Sequence, residues 1–251
     1  MAERPDHKTV GMIPARYGSR RLPGKPLMQI SGKSLIQRTY ENAQRSPLLN
    51  RLYVVTDDER IFEHVLGFGG EVIMTPPECP TGTERLAKAV KNNGKFDDVE
   101  IIVNIQGDEP FLEQEVIESV VRILQEDSEA VMSTAVVPIH DREEAVDYSV
   151  NKCVMDTHGN ALYFSRTLIP SSHTGEWRPD ANYYKHLGIY GYRRQFLMHY
   201  ADLEPTPLQI AEDLEQLKVL EHGYRMKVAI VESQAIGVDT PEDIKKVEEI
   251  L

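Results

Sequence analysis

The chain of 251 residues is 41% hydrophobic and 27% charged, with 16 Gly and 15 Pro; this is the composition of a globular protein and excludes disorder, collagen and coiled coil for the chain as a whole. Its 28 Lys and Arg stand against 40 Asp and Glu, a formal charge of −12, which argues against a nucleic-acid partner because that affinity rests on many cationic contacts to phosphates. The polar start MAERPDHK and the lack of an apolar run of roughly 18 residues argue against membrane insertion.

In chain order, short β-branched runs at residues 9–13, 52–56, 72–75 and 101–105 predict buried strands. Between them, residues 34–45 place Leu35, Ile36, Thr39, Tyr40 and Ala43 on one helical face, and residues 59–66 and 84–90 behave similarly. Alternating strands and helices predict right-handed crossovers and a mostly parallel sheet flanked by helices. After a strand at 131–138 the pattern changes. Residues 152–156 and 161–165 flank the turn residues His158, Gly159 and Asn160, which predicts a hairpin. The polar stretch 171–182 predicts a mobile surface loop, followed by a strand at 186–192. Helices at 194–203 and 211–222, a strand at 226–231 and a helix from Pro241 complete the chain. No linker divides it, so the expectation is a single α/β domain over residues 1–251 with a hairpin-containing insertion at about 140–192.

Charge is distributed unevenly. Residues 1–50 hold nine Lys and Arg against three Asp and Glu, whereas residues 201–251 hold five against twelve. Within 16–25, RYGSRRLPGK, four cations stand with no acid. In an acidic protein, such a Gly- and Pro-containing loop after a strand suits a small anion: glycines let backbone amides approach it, and Arg and Lys supply charge-assisted hydrogen bonds. Five residues separate Gly18 from Gly24 and Pro26 follows Lys25, so this is not a Walker A loop, which needs four and then Ser or Thr. No GxGxxG follows a strand, which argues against a dinucleotide cofactor. Cys79 and Cys153 are too few for a disulfide framework or a zinc site, which fits a reducing compartment and a cytoplasmic protein.

The pattern PARYGSRRLPGKPL at 14–27 resembles the sugar nucleotidyltransferases. With TGTERL at 81–86, VNIQGDEPF at 103–111, ALYFSR at 161–166, HLGIYGYR at 186–193, EDLEQLKVL at 212–220 and GVDTPEDI at 237–244, the chain is similar to the 3-deoxy-manno-octulosonate cytidylyltransferases, the CMP-Kdo synthetases, over about residues 10–250. That resemblance implies a Rossmann-type fold like that of the nucleotide-diphospho-sugar transferases. It also implies Mg²⁺-dependent transfer of CMP from CTP to the anomeric hydroxyl of Kdo, with release of pyrophosphate, for lipopolysaccharide synthesis by a homodimer.

Residue by residue, the resemblance places Arg16, Ser19, Arg21 and Lys25 at the triphosphate, with Arg21 and Lys25 meeting transition-state charge. It makes Asp108 and Asp239 the Mg²⁺ ligands, consistent with a metal that takes a carboxylate or two plus substrate phosphates. On its own, Asp108 could be a turn residue, and Asp239 precedes a helix start, Thr240-Pro241, that explains itself. Thr81, Gly82, Thr83 and Arg85 match the family's cytidine-side segment, with Thr81 also readable as a helix N-cap; the first three are placed with CTP and Arg85 with the sugar. Gln106, Arg166, His186, Tyr190, Glu215 and Gln216 match the Kdo positions, Arg166 as carboxylate clamp. Taken singly, His186 and Tyr190 are as readily structural, although four residues apart on a strand they share a face. The acidity of the anomeric hydroxyl makes a dedicated side-chain base unnecessary. A cytidylyltransferase for another acid sugar, such as sialic acid or 8-amino-Kdo, and a non-catalytic nucleotide-binding homologue are the competing readings.

Overall fold

The computed structural model describes residues 8–18, 22–233, 237–238 and 240–250. From the N-terminus run β1 (Thr9–Ala15), a small hairpin of β2 (Gln29–Ile30) and β3 (Lys33–Ser34), α1 (Leu35–Ala43), β4 (Arg51–Thr56), α2 (Glu59–Gly67), β5 (Val72–Met74), α3 (Gly82–Lys91), β6 (Ile101–Asn104), α4 (Gln114–Glu126) and β7 (Met132–Ile139). After them come α5 (Arg142–Val146), β8 (Lys152–Met155), β9 (Ala161–Ser165), β10 (Tyr183–Arg193), α6 (Arg194–Tyr200), α7 (Pro207–Glu212), α8 (Leu217–Glu221), β11 (Met226–Ile230) and α9 (Pro241–Ile250). α4 and the short α5 go beyond the elements read from the sequence.

The strands with the most continuous apolar runs, β1, β4 and β6, lie side by side, because only a position covered on both faces suits them. The main sheet has the order β11-β7-β10-β6-β1-β4-β5, with β8 attached to β10 and β9 to β8. β1 pairs in parallel with β4 and β6, β4 with β5, and β7 with β11. One face is covered by α1, α2 and α4, whose residues Ile36, Tyr40, Ile61, Val65, Val116 and Val120 pack with Ile13, Val54 and Val103. The other face carries α3, α6 and α8, where Leu86, Val90, Phe196, Leu197 and Leu217 pack with Met12, Val55, Ile102 and Tyr192. The three-layer arrangement agrees with the expected fold class.

One strand departs from the simple crossover scheme. β10, whose residues 183–192 were grouped with the insertion, lies in the middle of the main sheet, antiparallel to both β6 and β7. Its first residue, Tyr183, pairs with Ile139 at the very end of β7, so the excursion through α5, β8 and β9 leaves and re-enters at the same edge. A chain returning from the end at which it left runs antiparallel without a crossover. The excursion therefore stays on the side of the sheet where β1 and β6 end.

The helix expected at 211–222 is two. Thr206 and Gln209 form a capping box around Pro207, which starts α7 earlier, and Asp213 in the left-handed conformation (φ 53°) ends it before α8. Residues 171–182 carry neither helix nor strand.

Candidate functional site

From β1 the chain first builds β4 and β5 on one side and then returns to place β6 on the other, so the carboxyl ends of β1 and β6 flank the switch point where ligands of open α/β sheets bind. A cleft of about 420 Å³ opens there, lined by Ala15, Arg16, Lys25, Thr81, Gly82, Arg85, Gln106 and Asp108, with Pro14, Leu35, Cys79, Pro80 and Gly107 among its walls. That volume suits a ligand of nucleotide size.

The described ends of the basic stretch meet at Tyr17 and Gly24. Gly24 adopts φ 73°, a conformation that side-chain-bearing residues rarely take, donates its N–H to the Tyr17 carbonyl at 2.9 Å, and sits tightly on Tyr17, where a Cβ would stand 3.1–3.2 Å from the side chain. The Arg60 guanidinium, itself held by Asp58 at 2.9 and 2.6 Å, covers the same ring at 3.3 Å from its centroid. The turn delivers Lys25, largely buried, to Asp108, with Nζ donating to Oδ2 at 2.7 Å. Asp108 follows the end of β6 and accepts the Val238 N–H on its own carbonyl at 2.9 Å. Ser19, Arg21 and Asp239 lie outside the described residues.

The N-terminus of α3 supplies the opposite wall. Thr81 accepts from the Glu84 N–H at 3.2 Å, which bears out its reading as an N-cap, and it also lines the cleft. Gly82 packs against Pro14, where a Cβ would meet Pro14 Cγ at 3.1 Å. The helix thus presents its positive end to the cleft, a setting favourable to anions. One turn on, Arg85 is nearly fully buried and donates to Thr75 Oγ1 at 2.8 Å and Asp57 Oδ2 at 2.9 Å. Asp57 was not singled out in the sequence; a polar residue immediately after a strand's carboxyl end is the signal that would have found it.

Thr83 does not join Thr81 and Gly82 at the cleft. Its hydroxyl is fully buried and donates to Glu215 Oε1 at 2.8 Å, beside Asn104 and the Tyr192 hydroxyl. Of the sugar-directed residues, Arg85 and Gln106 line the cleft, and Gln106 donates to the Gly188 carbonyl at 2.9 Å. The others form an adjoining band across β10, β9 and the segment before α8. His186 and Tyr190 share a face with ring centroids 5.4 Å apart; His186 meets Thr134 Oγ1 at 2.9 Å, and the Tyr190 hydroxyl donates to Gln216 Oε1 at 3.3 Å. Arg166 is bound through Nε to the Glu212 carbonyl at 3.0 Å, so its guanidinium is fixed by the break between α7 and α8. Burial holds His186 neutral, with its pKa pushed down to about 3, and raises Tyr190 well above the ordinary tyrosine range. Burial also raises the Glu215 carboxyl, against the lowering effect of the Thr83 hydrogen bond.

The donor set fits a hard divalent ion. Asp108 offers a partly exposed carboxylate, an oxygen donor of the kind such an ion takes, in a cleft also lined by Arg16 and Lys25, and among the described residues no three His, Cys, Asp or Glu side chains gather into an all-protein cage.

The Cytidylyltransferase family profile matches residues 10–232. The chain is 58% identical, over 96% of its length and 93% of the relative, to a 3-deoxy-manno-octulosonate cytidylyltransferase of Protochlamydia amoebophila (strain UWE25). It is 51% identical, over 97% of its length and 83% of the relative, to the Arabidopsis thaliana protein named 3-deoxy-manno-octulosonate cytidylyltransferase, mitochondrial. A solved CMP:2-keto-3-deoxy-manno-octonic acid synthetase in complex with CTP is 38% identical and superposes with a TM-score of 0.90 over 97% of this chain and 98% of that one. A strand-end cleft with a basic loop on one wall and a helix N-terminus on the other, carried by a chain with these relatives, belongs to the cytidylyltransferase family, in its 3-deoxy-manno-octulosonate branch.

Proposed function

We propose that the protein transfers CMP from CTP to the anomeric hydroxyl of 3-deoxy-manno-octulosonate (Kdo), giving CMP-Kdo and pyrophosphate for lipopolysaccharide synthesis. The observation that carries the reading is the pairing of Lys25 with Asp108 at the floor of the switch-point cleft, in a chain 58% identical to a relative of that name. CTP occupies the cleft between the basic loop and α3. Arg16, Ser19, Arg21 and Lys25 neutralise its triphosphate, while Thr81 and Gly82 meet the cytidine half. Fixed cations of this kind match charge that grows on the α-phosphate oxygens and the departing pyrophosphate.

Asp108 and Asp239 would hold Mg²⁺. When bound, the ion supplies Lewis-acid polarisation of phosphate oxygens. Gln106, Arg85, Arg166, His186, Tyr190, Glu215 and Gln216 receive the acid sugar, Arg166 facing its carboxylate. Neutral His186 hydrogen-bonds and does not act as an acid near pH 7, because its proton affinity is depressed by burial. Orientation of the sugar hydroxyl against the α-phosphate is the chain's main contribution, and no covalent intermediate or dedicated side-chain base is required.

We further assign a homodimer built on the 140–182 excursion, where Tyr148 and Leu162 are 70% and 60% exposed and Ile230 nearby is 54% exposed. The enzyme works in the cytoplasm, where CTP is available; both cysteines are free. Pyrophosphate release from CTP and Mg²⁺ with Kdo, 8-amino-Kdo and sialic acid tests the reaction. Turnover fastest with Kdo supports it, a preference for another sugar reassigns the substrate, and no turnover with any sugar rejects it. A sedimentation run giving monomer alone rejects the dimer.

A further inference from the structure

In the first turn of α3, Thr81 and Gly82 face the nucleotide cleft, whereas the Thr83 side chain is completely buried and turns to the opposite side of the helix. There its hydroxyl donates to Glu215 Oε1 at 2.8 Å. Asn104, on the neighbouring strand β6, donates in turn to Thr83 Oγ1 at 3.4 Å. The link joins elements 132 residues apart in the chain: the helix that forms one wall of the cleft, and the segment between α7 and α8 that carries Glu215 and Gln216.

We propose that Thr83 is a positioning residue for the acid-sugar half of the site, its hydroxyl fixing the Glu215 carboxylate and so tying sugar recognition to the helix that receives the nucleotide. The proposal rests on the reading that Glu215 meets the sugar. A second observation marks this cluster as built to take a polar group. Asn104 Oδ1 and Gln216 Nε2 are buried with no hydrogen-bond partner among the described residues, in residues 1% and 2% exposed. One is an acceptor and the other a donor, the complement of a hydroxyl. A buried amide atom left unsatisfied is costly, so a cluster carrying two of them beside a carboxylate is completed by a hydroxylated ligand or a water.

Glu215 is faced by Thr83 and Glu84 from α3, Lys218 from α8, Tyr190 and Tyr192 from β10, and Tyr200 from α6. The tyrosines stay protonated and Glu84 opposes ionisation, so Thr83 and Lys218 are the groups that favour the carboxylate. Removing the Thr83 hydroxyl therefore lets burial raise the Glu215 carboxyl further.

The test compares wild type, Thr83→Val, Thr83→Ser and Glu215→Gln in steady-state turnover over a pH series, with thermal melts to verify folding. A hydrogen bond to a charged group sets the scale at roughly tenfold or more. The result expected is that Thr83→Val raises the KM for Kdo by that factor with the KM for CTP changed by less than about twofold. Its acid limb for Kdo moves to higher pH, and Thr83→Ser restores both readings. If Thr83→Val raises both KM values alike, or leaves the Kdo value unchanged while Glu215→Gln raises it, the positioning role is overturned. If Glu215→Gln itself leaves the Kdo KM unchanged, the underlying sugar reading fails instead, and the proposal with it.

Discussion

Lys25 and Asp108, 83 residues apart in the chain, meet at 2.7 Å on the floor of the cleft. The ammonium sits with its side chain only 10% exposed, while the carboxylate is 37% exposed and open to the cleft. Each residue thereby holds the other in place, in the proposed reaction the cation for the triphosphate and the acid for Mg²⁺. Lys25→Met is expected to lower kcat about a hundredfold, the scale for removing one preorganised charge. Asp108→Asn is expected to lower turnover similarly and to shift the Mg²⁺ dependence to higher concentration. The double variant should lose less than the product of the single losses, because the two act as a unit. Magnesium titrations of pyrophosphate release check all three.

The stack of Arg60 on Tyr17 braces the base of the loop that presents Arg16 and Lys25. Arg60 is not among the described residues that line the cleft, so its removal tests loop positioning. Arg60→Ala is expected to raise the KM for CTP by about two- to fivefold, from the strength of an exposed cation–π contact, with the KM for Kdo unchanged. Initial-rate kinetics in both substrates distinguish this from a general loss of activity.

His186 is 8% exposed and its folded-state pKa of about 3 lies far below the ordinary value of 6.5. Between these values the unfolded chain binds a proton that the folded chain does not, so stability rises with pH and is lost as pH falls below about 6.5. At pH 5 the loss relative to pH 7 is about 2 kcal/mol from this residue. Urea unfolding at both pH values should show that difference in wild type and most of it removed in His186→Gln.

Lys152 is fully buried, and its ammonium donates to the carbonyls of Asp147 and Val150 at 2.7 Å and of Arg166 at 2.5 Å. Lys152→Met leaves these acceptors without their donor, an expected cost of about 2–4 kcal/mol. Because one carbonyl belongs to Arg166, the KM for Kdo should rise more than that for CTP. Calorimetry together with kinetics checks both halves.

What could be read from the sequence follows a physical division. Apolar runs such as Ile101–Asn104 announce themselves as buried strands, and the cap-forming Thr81 announces a helix start, because both signals are local. The place of β10 between β6 and β7 is decided by where the excursion re-enters the sheet, which no periodicity encodes. Thr83 shows the same limit at one residue: successive helical side chains diverge by about 100°, so a motif that groups Thr81, Gly82 and Thr83 cannot put all three on one wall. Asp57 and Asn104 went unread because their significance lies in partners far along the chain, Arg85 and Thr83.

Transfer of CMP to Kdo is followed directly by ³¹P NMR of a reaction containing the protein, CTP, Mg²⁺ and Kdo. A phosphodiester resonance of CMP-Kdo and a pyrophosphate resonance are expected to grow in equal amounts at the expense of CTP, and neither is expected to grow when Kdo is left out. Orthophosphate in place of pyrophosphate, or CTP left unchanged beside Kdo, would contradict it.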